Sequence, residues 1–360
     1  MKRIMVTGSG GTPSTNFVRS LREAGEPFYL IGTDADKFSL MRSETDEKHL
    51  VPLANDPDYI DIINDVITET RAEFVHAQPD QEVGVLSKNR NSLKAMTFLP
   101  AERTVEVLQD KWLSYQAWKS KGIKVPETVI LNNENDLRRA FDSLGGNLWI
   151  REIAGAFGKG SIPTTSFELA RSWIDFKGGW GKFTAAEKLT PNSVTWLSIW
   201  KNGELVVAQS RKRLYWELGN RSPSGVTGVT GTGVTVDDET ITKIAMDSIY
   251  AVDQSPTGIF GVDLTYDAEG VPNPTEINIG RFFTTHLFFT KAGLNMPYIY
   301  VRLAYNESIP SIPKKINPLP PNLCWIRGMD FNPVLTTLDL VEEEDARLVK
   351  RRLRLKETRQ

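Results

Sequence analysis

Apolar residues recur along this chain in two rhythms, one of period two and one of period three to four. Arg3-Ile4-Met5-Val6-Thr7 is a short apolar strand that runs into Gly8-Ser9-Gly10-Gly11-Thr12. A helix then starts near Pro13–Ser14 and stops at Gly25. Phe28 to Gly32 is a second strand, ending at Asp34, and Val51-Pro52 a third. Asp56 and Pro57 open a helix whose apolar stripe is Tyr59, Ile60, Ile62, Ile63, Val66 and Ile67. Phe74-Val75-His76-Ala77 is a further strand, followed by Gln78-Pro79-Asp80-Gln81-Glu82. Strands alternating with helices predict an open parallel sheet, and ligands of such sheets bind beyond the carboxyl ends of the strands. Asp34, His76, Gln78, Asp80 and Glu82 stand at those ends, although Pro79-Asp80 also reads as a plain helix cap.

The remainder mixes helices with hairpins. A helix begins near Asp110-Lys111 and ends at Gly122, with Trp112, Tyr115 and Trp118 spaced for one face. After a helix from about Glu134 to Leu144 come the strand Leu148-Trp149-Ile150-Arg151 and the loop Ala154–Ser161. Phe183–Glu187 is another strand. Val194–Trp200 and Glu204–Ser210 flank Lys201-Asn202-Gly203, a strong hairpin signal. The stretch 219–235, rich in Gly, Ser and Thr, reads as a mobile loop, and a helix from about Asp238 to Val252 follows. Phe260, Val262 and Leu264 then alternate with polar positions, Asp267–Gly270 turns the chain, and a second strand carries Glu276 and Asn278. The aromatic run after Arg281 reads as core, and 309–322 as an extended proline-rich connection.

Candidate chemistry gathers in three places. If the hairpin closes near Ala268-Glu269, Asp263 lies across from Glu276 and Asn278 on one face. Two carboxylates and an amide oxygen are hard ligands that suit Mg²⁺ together with substrate phosphates, and Arg281 follows closely enough to grip a phosphate oxygen. The plainer reading is the wet face of a surface hairpin. The glycines at 155, 158 and 160, with Lys159 and Ser161, allow backbone N–H groups to approach phosphates closely, although the order is not that of a Walker A loop. Lys111 opposes the helix dipole at its own helix start, and binding a phosphate would account for it. Arg211 and Arg213 are placed either to hold a carboxylate or acyl-phosphate, or to sit on a solvated turn. The glycine turn 8–11 invites a dinucleotide reading, but Pro13 sits where the third glycine of that fingerprint belongs.

Composition narrows the classes. With 360 residues the chain exceeds one core, and two or three domains are expected. Its 43 basic and 45 acidic residues give net charge −2, and no long basic run precedes the C-terminus, which argues against a nucleic-acid partner. One cysteine, Cys324, excludes an internal disulfide and fits a reducing cytoplasm. No signal peptide or membrane-length apolar run is visible. His49, His76 and His286 lie far apart, against a histidine-built zinc site. The tail places acids 342–345 before bases 347–354, the order of a dipole-matched helix, with a basic partner-binding segment as the alternative.

Four motifs in the right order resemble the ATP-grasp superfamily, in particular carbamoyl-phosphate synthetase-like proteins and carboxylate–amine ligases. They are Asp110-Lys111 leading to Gly122-Ile123-Lys124-Val125-Pro126-Glu127-Thr128, the glycine-rich flap after Arg151, the hinge Glu187-Lys188-Leu189, and Asp263-x12-Glu276-x-Asn278. The resemblance covers about residues 1–300. It implies α/β and α+β architecture: a Rossmann-like pre-ATP-grasp domain (1–108), a first lobe with the flap (109–188), a second lobe with the metal site (189–308), and a connection with a helical tail (309–360). It also implies that ATP is held by Lys111, Arg151, Gly155, Gly158, Lys159, Gly160, Ser161, Glu187, Lys188 and Leu189. Asp263, Glu276 and Asn278 would bind Mg²⁺ or Mn²⁺, with two ions expected, and Arg281 and Arg211 would act in catalysis. The implied reaction activates a carboxylate as an acyl-phosphate and joins it to an amine. A carbamoyl-phosphate-type phosphotransferase and a non-catalytic nucleotide sensor are the alternatives, small-molecule carboxylates and amines the expected partners, and a homodimer one open assembly. Three departures stand out. Relatives often read Glu-x-Asn-Pro-Arg, so Arg281 is displaced by one residue; Arg151 occupies a usual lysine position; and Ser193-Val194 stand where an acid usually meets the ribose.

Overall fold

The computed structural model describes residues 1–155, 158 and 160–358, and among these the strands form three sheets. The first is built by β1 (Lys2–Val6), α1 (Thr12–Arg22), β2 (Phe28–Asp34), α2 (Lys37–Met41), β3 (Glu47–Leu50), α3 (Tyr59–Thr70), β4 (Phe74–His76), α4 (Asp80–Lys88) and β5 (Met96–Thr97). Its strands are parallel in the order β3-β2-β1-β4-β5. Ile4, Met5, Val6, Leu30, Ile31, Phe74 and Val75 are fully buried, as befits strands covered on both faces. The third strand lies at Glu47–Leu50 and not at Val51-Pro52. Val51 N–H still reaches the Asp34 carbonyl at 2.9 Å, but Pro52 has no N–H with which to extend the ladder. Helix α3 begins at Tyr59, two residues past the expected Pro57, because Asp56 accepts the Asp58 N–H at 2.9 Å in a turn ahead of it.

The glycine turn 8–11 packs against its own chain. A Cβ on Gly10 would lie 2.0 Å from the Ser39 carbonyl oxygen, and one on Gly8 would lie 2.5 Å from Pro79 Cγ. The Gly10 N–H donates to Asp34 at 3.0 Å, so a carboxylate of this chain occupies the amide that a dinucleotide phosphate would use.

Beside this turn Glu82 is buried, with Tyr59 Oη donating to its Oε1 at 2.9 Å. Burial, reinforced by the nearby Asp34 charge, raises its carboxyl from the usual 4.5 to about 7. The native state therefore holds a proton that the unfolded chain has lost, and stability falls as pH rises from 4.5 to 7 and is flat above. Glu82→Gln removes that loss and is expected to stabilise the protein by on the order of 3 kcal/mol at pH 8, with little gain at pH 4.5. Urea unfolding at both pH values checks it; an equal gain at each would refute the assignment.

The second sheet follows α5 (Glu102–Gln109) and α6 (Lys111–Ser120) and contains β6 (Thr128–Leu131), α7 (Glu134–Ser143), β7 (Leu148–Glu152), β8 (Ile162–Thr164), α8 (Phe167–Phe176) and β9 (Phe183–Glu187). Its order is β6-β9-β7-β8, all antiparallel. Leu131, Leu137, Ile150, Ala170, Ile174 and Phe183 form its own small core under α7 and α8.

The third sheet comprises β10 (Ser193–Lys201), β11 (Glu204–Trp216), β12 (Thr230–Val236), β13 (Gly258–Tyr266), β14 (Pro272–Ile279) and β15 (Cys324–Ile326), in the antiparallel order β14-β13-β10-β11-β12-β15. Asn202 (φ 51°) and Gly203 (φ 86°) make the expected tight hairpin turn. Two expectations are corrected. β11 continues to Trp216, so Arg211–Arg213 lie in a strand and not on a turn, and residues 230–235 of the expected loop belong to β12. Thr and Val alternate there, but the glycines between them mask the period. Helices α9 (Glu239–Tyr250), α10 (Leu287–Lys291), α11 (Met296–Ala304) and α12 (Leu338–Thr358) complete the chain. One apolar core runs from Met5, Ile31 and Val75 of the first sheet to Trp196, Trp200, Phe260 and Val262 of the third. No helix among the described residues is long and apolar enough to cross a membrane.

Candidate active site

The second and third sheets face each other across a cavity of about 530 Å³, lined by Trp149, Arg151 and Ala186 on one side and Arg213, Asp263 and Glu276 on the other. The hairpin β13–β14 supplies its acids. Asp263 pairs with Glu276 across the ladder, and Gly261 with Asn278, so the three polar side chains share a face. A bulge at Thr275 shifts the register just beyond the Asp263–Glu276 pair, and the Thr275 hydroxyl donates to the Asp263 carbonyl at 3.1 Å. Asp263 Oδ2 accepts from Asn278 Nδ2 at 2.9 Å, and Oδ1 from the Thr195 hydroxyl at 2.5 Å. Two carboxylates and an amide converge as the spacing requires, and that set of hard oxygen donors fits Mg²⁺.

Cations surround this pair. Lys111 Nζ stands 3.8 Å from Glu276 Oε2 and donates to the Gly155 carbonyl at 2.7 Å. Its side chain is held there by α6, whose cap is Asp110 accepting from the Trp112 and Leu113 N–H groups at 2.8 Å. Arg151 Nη2 donates to the Thr275 carbonyl at 3.2 Å, and Arg213 Nη2 lies 3.6 Å from Asp263 Oδ1. Three cations thus face the two acids of the hairpin, in reach of a phosphate held between them.

Arg281 reaches the site despite its displacement in sequence. Gly280 adopts φ 70° and folds the chain back, and a Cβ there would lie 2.7 Å from Val83 Cγ1. The returning guanidinium donates to Asn278 Oδ1 at 2.5 Å and makes a two-point ion pair with Asp80, one contact of which is 3.0 Å. Burial pushes Arg281 down, but Asp80, with Glu276 and Asp263 beside it, together push it up by more, so its net shift is upward. Asp80, the first residue of α4, thus spends its carboxylate on Arg281 and not on capping its helix.

The flap and hinge lie on the same cavity. Gly155, Gly158, Gly160 and Ser161 line it, as do Glu187, Lys188 and Leu189. Lys159 lies outside the described residues. Gly158 (φ 66°) packs against the loop before β12, since a Cβ there would lie 2.5 Å from the Val226 carbonyl oxygen. Ser193, at the usual ribose-acid position, accepts from Arg213 Nη1 at 2.6 Å. Arg211 does not line the cavity. It is 1% exposed and stands behind Arg213, donating to Thr195 and Thr230. The sequence places Arg211 and Arg213 together as anion-binding candidates and Asp80 among the groups at the strand ends, but does not tell the lining arginine from the buried one. Extending the period-two strand through residue 213 would have put Arg213 on the same face as Arg211.

No protein-family model matches the sequence, and no curated protein matches it. Solved structures do resemble it. The biotin carboxylase domain of the Hydrogenobacter thermophilus 2-oxoglutarate carboxylase, in complex with MgADP, ADP and bicarbonate, is 14% identical over 90% of this chain and 73% of that one, with TM-score 0.68. An L-amino acid ligase from Bacillus licheniformis is 13% identical over 84% and 74%, with TM-score 0.66. The Staphylococcus aureus N5-carboxyaminoimidazole synthetase complexed with ADP is 15% identical over 86% and 78%, with TM-score 0.65. The chain has the ATP-grasp fold. At these identities the likeness establishes architecture, and the roles of individual residues rest on the geometry above. Within the ATP-grasp fold, the cavity is the space where the two antiparallel sheets face each other.

Proposed function

We propose that the protein is an ATP-dependent carboxylate–amine ligase that passes through an acyl-phosphate. The observation that carries this reading is the meeting of Asp263 and Glu276 with Lys111, Arg151 and Arg213 at one cavity, with Asn278 hydrogen-bonded to Asp263 and Arg281 to Asn278 just behind its lining. The resemblance of the fold to enzymes solved with ATP, ADP or MgADP supports it.

Asp263, Glu276 and Asn278 would hold Mg²⁺, with two ions expected, and the metal would supply charge to neutralise the phosphates. Lys111, Arg151 and the backbone of the flap bind the phosphates, while residues 187–189 meet adenine through backbone groups. A substrate carboxylate oxygen attacks the γ-phosphorus, the bond to the ADP oxygen breaks, and ADP leaves. The amine lone pair then attacks the acyl carbon, phosphate departs with its oxygen, and the amine gives up a proton. Arg281 and Arg213 bind the charge on the transferring group, and closure of the flap excludes water that would hydrolyse the acyl-phosphate.

ADP release screened over carboxylates and amines, with hydroxylamine to trap the acyl-phosphate as a hydroxamate, tests the reading. We expect hydroxamate formation that requires ATP, Mg²⁺ and one class of carboxylate. MgADP binding without acceptor-dependent ADP release would instead make the chain a nucleotide sensor.

A further inference from the structure

Thr230 lies at the centre of three guanidiniums. Its hydroxyl accepts from Arg211 Nη1 at 2.8 Å and from Arg213 Nε at 3.0 Å, and its carbonyl accepts from Arg327 Nη1 at 3.2 Å. All are withdrawn from solvent: Arg211 is 1% exposed, and the side chains of Arg213 and Arg327 are 8% and 4% exposed. The carboxylates facing them are Asp263, 3.6 Å from Arg213, and Asp330, ion-paired with Arg327. The Glu276 charge also acts on Arg213, but Asp263 and Glu276 both belong to the metal hairpin, and among the described residues no carboxylate makes an ion pair with Arg211. Arg211 is the uncompensated member. Its terminal nitrogens donate to the hydroxyls of Thr195 and Thr230, its guanidinium carbon lies 4.7 Å from the Phe283 ring centre, and its Nε has no partner among the described residues. Burial, with Arg213 and Arg327 beside it, pushes this guanidinium down to about 9. The chain makes room for it nonetheless, because a Cβ on Gly233 would lie 2.5 Å from Arg211 Cδ. A buried unpaired charge is costly, so its retention points to an anion that arrives with the substrate.

Arg327 lies past residue 300, beyond the four ATP-grasp motifs of the sequence. It follows the edge strand β15, and its N–H donates to the Gly231 carbonyl at 3.1 Å. Three residues on, Asp330 accepts from Asn16 Nδ2 at 3.0 Å, and the Asp330 carbonyl accepts from Arg19 Nη2 at 2.8 Å. The extension therefore runs from the edge of the third sheet to α1 and brings its arginine to Thr230, the residue that also holds Arg213 of the cavity wall.

We infer that Arg327 is a specificity-determining residue for an anionic acceptor group, adding its charge to Arg211 and Arg213 to draw the substrate carboxylate to this end of the cavity. The inference rests on the ligase reading, and the test separates the two. The full chain is titrated with inorganic phosphate, with and without MgADP. Binding is followed by the fluorescence of Trp216, whose ring lies 3.5 Å from the Arg213 guanidinium carbon; Trp216→Phe identifies that signal. We expect Arg327→Gln to weaken phosphate binding about tenfold, Arg327→Lys about threefold or less, and MgADP affinity to stay within about twofold in both. Asp330→Asn should tighten phosphate binding, because it releases the charge of Arg327. If Arg327 merely anchors the tail, Asp330→Asn breaks the same ion pair and weakens binding as Arg327→Gln does; that pattern overturns the inference. So does wild-type protein that ignores phosphate, or MgADP binding accompanied by phosphate binding indifferent to Arg327. Arg327-dependent phosphate binding without MgADP binding would instead sink the ligase reading and leave the anion site standing.

Discussion

Glu276→Gln is expected to lower Mg²⁺-dependent ADP formation by about a hundredfold or more, the scale on which removal of one preorganised charge at a reacting centre acts. Glu276 is opposite Asp263 in the ladder, and its carboxylate has Lys111 3.8 Å away. Glutamine keeps the shape and removes the charge, so folding should hardly change. The sharper signature is in binding. In the wild type Mg²⁺ should tighten ADP, whereas in the variant ADP affinity should be the same with and without the metal. Asp263→Asn should behave alike in activity, with an added structural cost, since its two oxygens accept from Thr195 and Asn278. Calorimetric titration of ADP with and without Mg²⁺, beside a coupled ADP assay, checks both. A Glu276→Gln protein with near-normal activity and an intact Mg²⁺ response would remove the metal site from this hairpin.

Gly280→Ala should be strongly damaging for a single added methyl. Left-handed backbone costs a residue with a Cβ about 1–2 kcal/mol. The new methyl would also lie 2.7 Å from Val83 Cγ1 and 3.2 Å from Leu99 Cδ2, an overpacking worth about 1–3 kcal/mol. Together they predict about 2–5 kcal/mol of destabilisation, or about 3–7 °C in Tm for a chain of 360 residues. Activity should fall further than stability explains, because Arg281 is then pushed away from Asn278 and Asp80. Gly270 is the matched control. It has φ 78°, but a Cβ there meets nothing within 4 Å, so Gly270→Ala should cost only the backbone strain. Thermal unfolding of the two variants decides; equal losses would mean that Gly280 is no special packing position.

Local spacing was enough to determine several features of this protein. The hairpin closure at 267–270 put Asp263 opposite Glu276, because a period of two and a tight turn leave little freedom in register. The capped start of α6 and the glycines of the flap are likewise local features. What the tertiary structure decided involves partners distant in sequence. Asp80 and Arg281 lie 201 residues apart, and only the packing of α4 against the end of β14 makes them an ion pair. Arg213 gained the cavity wall over Arg211 because β11 runs on to Trp216 and pairs with a glycine-rich strand that has no legible period of its own. β15 is three residues long, too short to show a rhythm, and exists because the open edge of β12 offers its ladder. Side-chain alternation can be read one segment at a time, whereas charge compensation depends on which segments meet, and that is settled by burial of the core they share.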